Sequence, residues 1–271
     1  MHPVDVVRVG GRASERRRDF AAAEEPLEIR LNDTPFVVTM RTPGADRELA
    51  VGLLVSERIV SSLEDIGTVR HCGNATDEGE ENVIDVTLVG PAAARAETAL
   101  SGRRLVTVTA ACGVCGRRSI EDLMQDVTPV ADGWSMTAAA AASLPERLRA
   151  AQAVFDETGG LHAAGLFDAH GTLVASAEDV GRHNAVDKVI GGQLLADRWP
   201  LENLALFVSG RTSFEIVQKA VVAGIPIVGA VSAPSSLAVG LARAAGVTLL
   251  GFVRGDTFNI YAGEQRIVAE A

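Results

Sequence analysis

The sequence predicts an α/β protein: a mixed, partly parallel sheet covered by helices on both faces, preceded by a smaller N-terminal α+β region. Three observations carry this expectation. Beyond residue 203, apolar runs at 204–208, 225–231 and 247–253 alternate with helix-patterned stretches at 213–222 and 236–245, and β-α-β-α-β order calls for strands joined by covering helices. The first third instead reads as two strands, a helix and further strands with no such alternation. Hydrophobic residues make up 47% of the 271 and aromatics only 4%, so the core is built mainly from Ala, Val and Leu, a composition suited to closely layered helices and sheets.

Taken in order, residues 1–25 read as a polar, solvated tail. The basic side chains Arg8, Arg12, Arg16, Arg17 and Arg18 are interspersed with Asp5, Glu15, Asp19, Glu24 and Glu25, and mixed charge of this kind marks a hydrated surface. Residues 26–135 form the α+β region. In it Leu27, Ile29 and Leu31 alternate with polar residues, and Asn32, Asp33, Thr34 and Pro35 turn the chain into a partner strand over 36–40. Leu49, Leu53 and Leu54 then take helical spacing within 46–59. An acidic loop at 73–82 precedes a strand at 83–89, and another strand at 104–109 delivers the chain to a cysteine pair.

The α/β core is placed at 136–271. An alanine run at 138–142 reads as helix, and Ser143, Leu144, Pro145 and Glu146 have the spacing that caps a new one, ended by Gly159 and Gly160. A hairpin follows, with strands at 161–167 and 172–175 around a turn at 168–171. Next come a helix over 182–195, the alternating elements already described, and a last strand over 258–262.

Cys112 and Cys115 are two of only three cysteines, and they lie between glycines in Cys112-Gly113-Val114-Cys115-Gly116. A Cys-x-x-Cys pair at a helix start and beside cations has a lowered thiol pKa. Arg117 and Arg118 follow directly, and residues 119–125 read as a short helix. Structural zinc takes four ligands, whereas this chain offers one pair, with Cys72 and His71 the nearest additions in sequence. The expectation is therefore redox or sulfur-transfer chemistry with no metal site.

The formal net charge is −10 and the pI about 5.0, which argues against nucleic acid or an anionic membrane as a partner. With no signal-like or membrane-spanning apolar run, a cytoplasmic location is expected.

Ligands of α/β sheets lie beyond the carboxyl ends of the strands, and three connections there have suitable composition. Ser209, Gly210, Arg211, Thr212 and Ser213 offer hydroxyls, backbone N–H groups and a guanidinium to an anion, although simple helix capping explains them equally. Ser232 to Ser236 do the same without the charge. Phe252, Val253, Arg254, Gly255, Asp256 and Thr257 combine an aromatic, a cation and a carboxylate suited to a guanine nucleotide, or form a hairpin turn with an Arg254/Asp256 pair. The polar cluster from Glu178 to Asn184, with Asp179, Arg182 and His183, fits either helix capping or proton relay. His162 stands alone in an apolar strand and reads as a core or dimer-contact group.

Together, Cys112 to Gly116, Glu178 to Lys188, Ser209 to Phe214 and Ser232 to Ser236 resemble the formate dehydrogenase accessory sulfurtransferase (FdhD) family, from about residue 26 to the C-terminus. The resemblance implies a cytoplasmic homodimer with a cytidine-deaminase-like, three-layer core. It implies that persulfide sulfur passes from a cysteine desulfurase to the molybdenum bis-molybdopterin guanine dinucleotide cofactor, bound as substrate, for formate dehydrogenase. By position, Cys112 would carry the persulfide, Cys115 would assist it, and Phe252 to Thr257 would bind the cofactor. The alternatives are a non-catalytic cofactor-binding chaperone and a zinc-dependent deaminase-like hydrolase. The hydrolase is disfavoured because no glutamate stands two residues after His162, Ala111 replaces the usual proline, and the cysteines precede the histidine.

Overall fold

The computed structural model describes residues 1–11, 13–72, 82–102 and 127–269. The N-terminal stretch is exposed, as its charge requires, but it is paired rather than a loose tail. Strands β1 (His2–Gly10) and β2 (Ala13–Ala21) form an antiparallel hairpin in which Arg8 faces Glu15 and Asp5 faces Arg18. β-Branched Val4, Val6, Val7 and Val9 favour extended backbone, and cross-strand opposite charges add to the pairing.

Strands β3 (Glu25–Leu31) and β4 (Thr34–Arg41) make the expected hairpin. Asn32 and Asp33 both have positive φ, 48° and 63°, the conformation a two-residue hairpin turn needs and one that Asn and Asp tolerate. Strands β5 (Ile66–His71) and β6 (Val83–Leu88) complete a four-stranded mixed sheet in the order β4-β3-β6-β5. Leu27, Ile29 and Leu31 are fully buried on one face of it. Helix α1 (Asp46–Ser56) follows β4, and Asp46 accepts from buried Arg41 through both carboxylate oxygens at 3.0 and 2.9 Å. Helix α2 (Gly90–Gly102) follows β6.

Helix α3 (Ala138–Arg149) is one continuous helix, not the two expected. Thr137 caps it, accepting from the Ala140 N–H at 3.1 Å. Ala141, Leu144 and Leu148 form a single buried stripe across Pro145, so burial holds the helix together where a proline alone would break it. Gly159, with φ 65°, ends a separate short helix, α4 (Ala153–Thr158).

The main sheet has six strands in the order β13-β12-β11-β10-β8-β9. These are β8 (His162–Phe167), β9 (Leu173–Asp179), β10 (Ala205–Val208), β11 (Ile227–Ala230), β12 (Thr248–Arg254) and β13 (Thr257–Ala262). β10, β11 and β12 run parallel; β8 is antiparallel to both β9 and β10, which makes β9 parallel to the other three. Helices α5 (Arg182–Leu195), α6 (Phe214–Val222) and α7 (Ser236–Ala245) connect them. Leu206, Val208 and Val228 face the apolar cluster that contains α5, α6 and α7, whereas Ala205, Phe207 and Ile227 face the one that contains α3. Both faces of the sheet are therefore covered, as its continuous apolar strands require. A parallel pair, β7 (Met136–Thr137) with β14 (Ile267–Val268), closes the α3 side. No helix among the described residues is long and apolar enough to cross a membrane.

Candidate functional site

Because β9, β10, β11 and β12 are parallel, their carboxyl ends lie along one edge of the sheet. That edge gathers four segments that lie far apart in sequence: the turns at 179–182, 209–213 and 232–235, and the end of β12 at Arg254. Ligand sites of open α/β sheets form at such edges.

The β10–α6 turn is anchored to β8. Ser209 accepts from the Ala163 N–H through its hydroxyl at 2.8 Å and donates its own N–H to the Ala163 carbonyl at 2.9 Å. Gly210 is held close: a Cβ there would come within 3.3 Å of His162 Nδ1 and 4.0 Å of Arg182 Cδ. Arg211 is exposed, while Thr212 is 1% exposed. Ser213 occupies the N-cap position of α6 without a side-chain cap; its hydroxyl lies 3.1 Å from His183 Nε2 instead. The next turn behaves differently. Ser235 caps α7, accepting from the Ala238 N–H at 3.2 Å, so capping accounts for that serine and leaves the first turn free for another role.

Beside these turns is a cavity of about 1000 Å³, bordered by α3, α4 and the ends of β8, β10 and β11. Leu148, Phe155 and Phe207 supply apolar walls; Arg149, His162 and Ser209 supply polar groups. An apolar cavity with a few convergent polar groups is the usual form of a small-molecule site. Burial, followed by the positive charge of Arg182, lowers the His162 pKa below the ordinary imidazole value, so the ring is neutral at pH 7.

At the end of β12, Phe252 takes a positive φ of 53° and stays 40% exposed. Arg254 lies over its ring, 6.0 Å from guanidinium carbon to centroid, and donates from Nε to the Val231 carbonyl at 3.4 Å. Val253 is buried toward α3, whereas Gly255, Asp256 and Thr257 are exposed. Arg254 is thus tied to the edge of the sheet and to Phe252.

The cluster at 178–184 divides into unlike parts. Glu178 accepts from the N–H groups of Val154 and Phe155 at 3.0 and 2.8 Å, capping α4 rather than the helix that follows it. Asp179 is fully buried and pairs with Lys188 Nζ at 2.7 Å; it also accepts from Asn184, Gly181 N–H and Thr42 N–H. Burial pushes the Glu215 pKa up, but the Ser213 hydroxyl, its own backbone N–H, His183 and Arg182 outweigh burial and hold it below the ordinary value. Cys112 and Cys115, with the strand expected at 104–109 and the helix at 119–125, lie outside the described residues. Cys72 is a free thiol of intermediate exposure following β5.

The FdhD/NarQ family model matches residues 22–268. The chain belongs to the FdhD/NarQ family. Among curated relatives, the sulfur carrier protein FdhD of Anaeromyxobacter dehalogenans strain 2CP-C is 53% identical over 268 residues, covering 97% of this chain and 92% of that protein. The protein of the same name from Nocardia farcinica is 51% identical over 267 residues, covering 97% and 93%. The fold matches the crystal structure of a formate dehydrogenase accessory protein from Desulfotalea psychrophila with a TM-score of 0.78, at 25% identity, over 98% of this chain and 99% of that one. The mixed α/β architecture is thereby shared with that accessory protein.

Sequence reasoning located the turns of this edge and missed the cavity. Leu148, Phe155, Phe207 and Val231 read as ordinary core residues, and only the packing of α3 and α4 against the ends of β10 and β11 turns them into a wall. His162 was legible only as a lone histidine in an apolar strand.

Proposed function

We propose that this protein is a cytoplasmic sulfurtransferase that carries persulfide sulfur from a cysteine desulfurase to the molybdenum bis-molybdopterin guanine dinucleotide cofactor of formate dehydrogenase. The observation that carries this is family membership over nearly the whole chain, with relatives named as sulfur carriers, in a sequence whose one Cys-x-x-Cys pair is Cys112 and Cys115.

In this reading the Cys112 thiolate attacks the outer sulfur of the donor persulfide, and the desulfurase cysteine leaves as a thiolate. Cys112 is left as a persulfide. If the Cys115 thiol then attacks the Cys112 sulfur, hydrosulfide leaves for the cofactor and a disulfide closes, which a thiol reductant must reopen with two electrons. The cofactor is a substrate of the process, with its guanine placed at Phe252 to Thr257 and its phosphates at the turn of Ser209, Gly210 and Arg211. The exposed Phe252 ring beside Arg254 supports the first assignment, since a purine stacks on an aromatic face and a guanidinium plane. We also read the helix-covered sheet as a cytidine-deaminase-like core and the working form as a homodimer.

The test is mass spectrometry after incubation with a desulfurase and cysteine. Wild type gains one sulfur on Cys112, and Cys112→Ala gains none while keeping its fold. A full persulfide adduct on Cys112→Ala defeats the assignment. Activation of formate dehydrogenase by Cys112→Ala at the wild-type level favours the non-catalytic chaperone instead.

A further inference from the structure

Strands β1 and β2 form a two-stranded sheet that no other strand among the described residues joins, and every residue of β1 except Val6 is exposed. A lone hairpin is marginal in water; three or more strands sharing an apolar face are needed for independent stability. The apolar face is already there. By the register of the hairpin, Pro3, Val7, Val9 and Phe20 lie on one side of it, with Val7 57% and Val9 73% exposed. The two outer edges differ. β2 carries the uninterrupted charged run Glu15, Arg16, Arg17, Arg18 and Asp19, a device by which edge strands avoid pairing. β1 holds four valines, and with His2 neutral its formal charges are Asp5 and Arg8, so its edge is open to a further strand. Charge narrows the choice of that strand. Two copies of a chain of net charge −10 repel each other, yet residues 1–21 hold five arginines against three carboxylates, while the remainder holds 20 Lys and Arg against 32 carboxylates. The hairpin is therefore the place where two copies meet with least repulsion.

We infer that the hairpin is an intersubunit arm: β1 of one copy pairs along its outer edge with β1 of a second copy, antiparallel about a two-fold axis, giving one four-stranded sheet in the order β2-β1-β1-β2. A contact of this kind is self-complementary and closes at two copies, and the charged β2 strands at its borders stop further addition. Backbone N–H and carbonyl groups supply the pairing, as in other cases of strand addition, and the valine faces of the two hairpins become continuous. The inference rests on the homodimer of the proposed function and adds the surface that joins it. The family model begins at residue 22, so the arm lies outside the segment it matches.

The experiment is sedimentation equilibrium of the full chain, with hydrogen exchange over residues 2–10 read by mass spectrometry. Wild type dimerises, and its β1 amides are protected where the dimer is populated and lose that protection on dilution. Val7→Lys with Val9→Lys sets like charges against each other across the axis and weakens association by about tenfold or more. Val7→Thr with Val9→Thr keeps β-propensity without adding charge and associates as wild type does. Arg16→Gln with Arg17→Gln, on the far strand, also associates as wild type does. Wild-type association of the lysine variant, or unprotected β1 amides in a populated dimer, overturns the inference and leaves the homodimer reading standing. Association lost in the arginine variant and kept in the lysine variant puts the arm on an acidic surface and overturns the edge pairing. A wild type that stays monomeric overturns both the inference and the homodimer.

Discussion

Two glycines set how closely α1 and α5 approach. A Cβ on Gly52 would fall 1.9 Å from the Asp187 carbonyl oxygen, and one on Gly191 would fall 2.0 Å from that of Glu48. In both cases the obstacle is backbone, so no side-chain rotation relieves it, and overpacking of this kind costs more than its methyl group returns. Gly191→Ala is therefore expected to destabilise the protein by about 3 kcal/mol or more, measured as a shift of the urea midpoint. An unchanged midpoint contradicts the close helix contact. Position 191 illustrates what single-sequence reading lacks: a glycine inside a helix is visible there as a propensity cost, but its reason lies on a helix more than a hundred residues earlier.

At the scale of the element, α5 is buried almost along its whole length, so its polar side chains find partners inside the protein. Asp187 accepts from Lys219 Nζ through both oxygens, at 2.7 and 2.8 Å, and from the Ser56 hydroxyl at 2.7 Å. Burial raises its pKa above the ordinary carboxylate value, against the opposing pull of Lys219 and Ser56. The folded state thus holds the proton more tightly than the unfolded state does. The associated stability is present below the unfolded value of about 3.9 and is lost as pH rises through the folded one. Lys219→Met leaves a buried carboxylate alone and is expected to cost about 3–5 kcal/mol at pH 7. That deficit shrinks as pH falls and Asp187 takes up its proton, and Lys219→Met with Asp187→Leu recovers most of it. Urea midpoints at several pH values decide the matter, and a deficit independent of pH would show that Asp187 is not the cause. The boundaries of α7 were legible because its apolar periodicity opens on the Ser235 cap and closes on Gly246 in the left-handed region, and those of α5 followed from the turn at Gly181 that precedes it. Strand β5 was not, since its burial follows no alternation, and α2 was not, because the residues it buries, Ala92 and Ala96, are too small to stand out as a stripe. The turns of the site were legible from their serines and charges, whereas the cavity depends on α3 passing through Pro145 and on strand ends that meet only in three dimensions.

For the molecule as a whole, the larger apolar cluster draws on residues from Leu27 to Ala262 and so includes both sides of the boundary expected near residue 135. Val186, Val189 and Ile190 of α5 share that cluster with Leu49, Val51 and Leu54 of α1. Polar contacts reinforce it. Asn184 donates to the Met40 carbonyl and Lys188 to the Thr42 carbonyl, each at 2.8 Å, while Thr42 exchanges hydrogen bonds with Asp179 and Val180. Without the first 135 residues, α5 would present an apolar face to water and leave Asn184, Asp187 and Lys188 short of acceptors or donors, and unsatisfied groups of that kind are costly. Residues 136–271 contain the six-stranded sheet and every wall of the cavity, so a fragment of those residues is the natural test of whether the candidate edge can stand alone. It is expected to retain helical circular dichroism but to lose a cooperative unfolding transition and dispersed amide resonances, the behaviour of a collapsed chain without specific packing. A fragment that unfolds cooperatively with dispersed amide resonances would show that the six-stranded sheet needs no support from α1 and the four-stranded sheet.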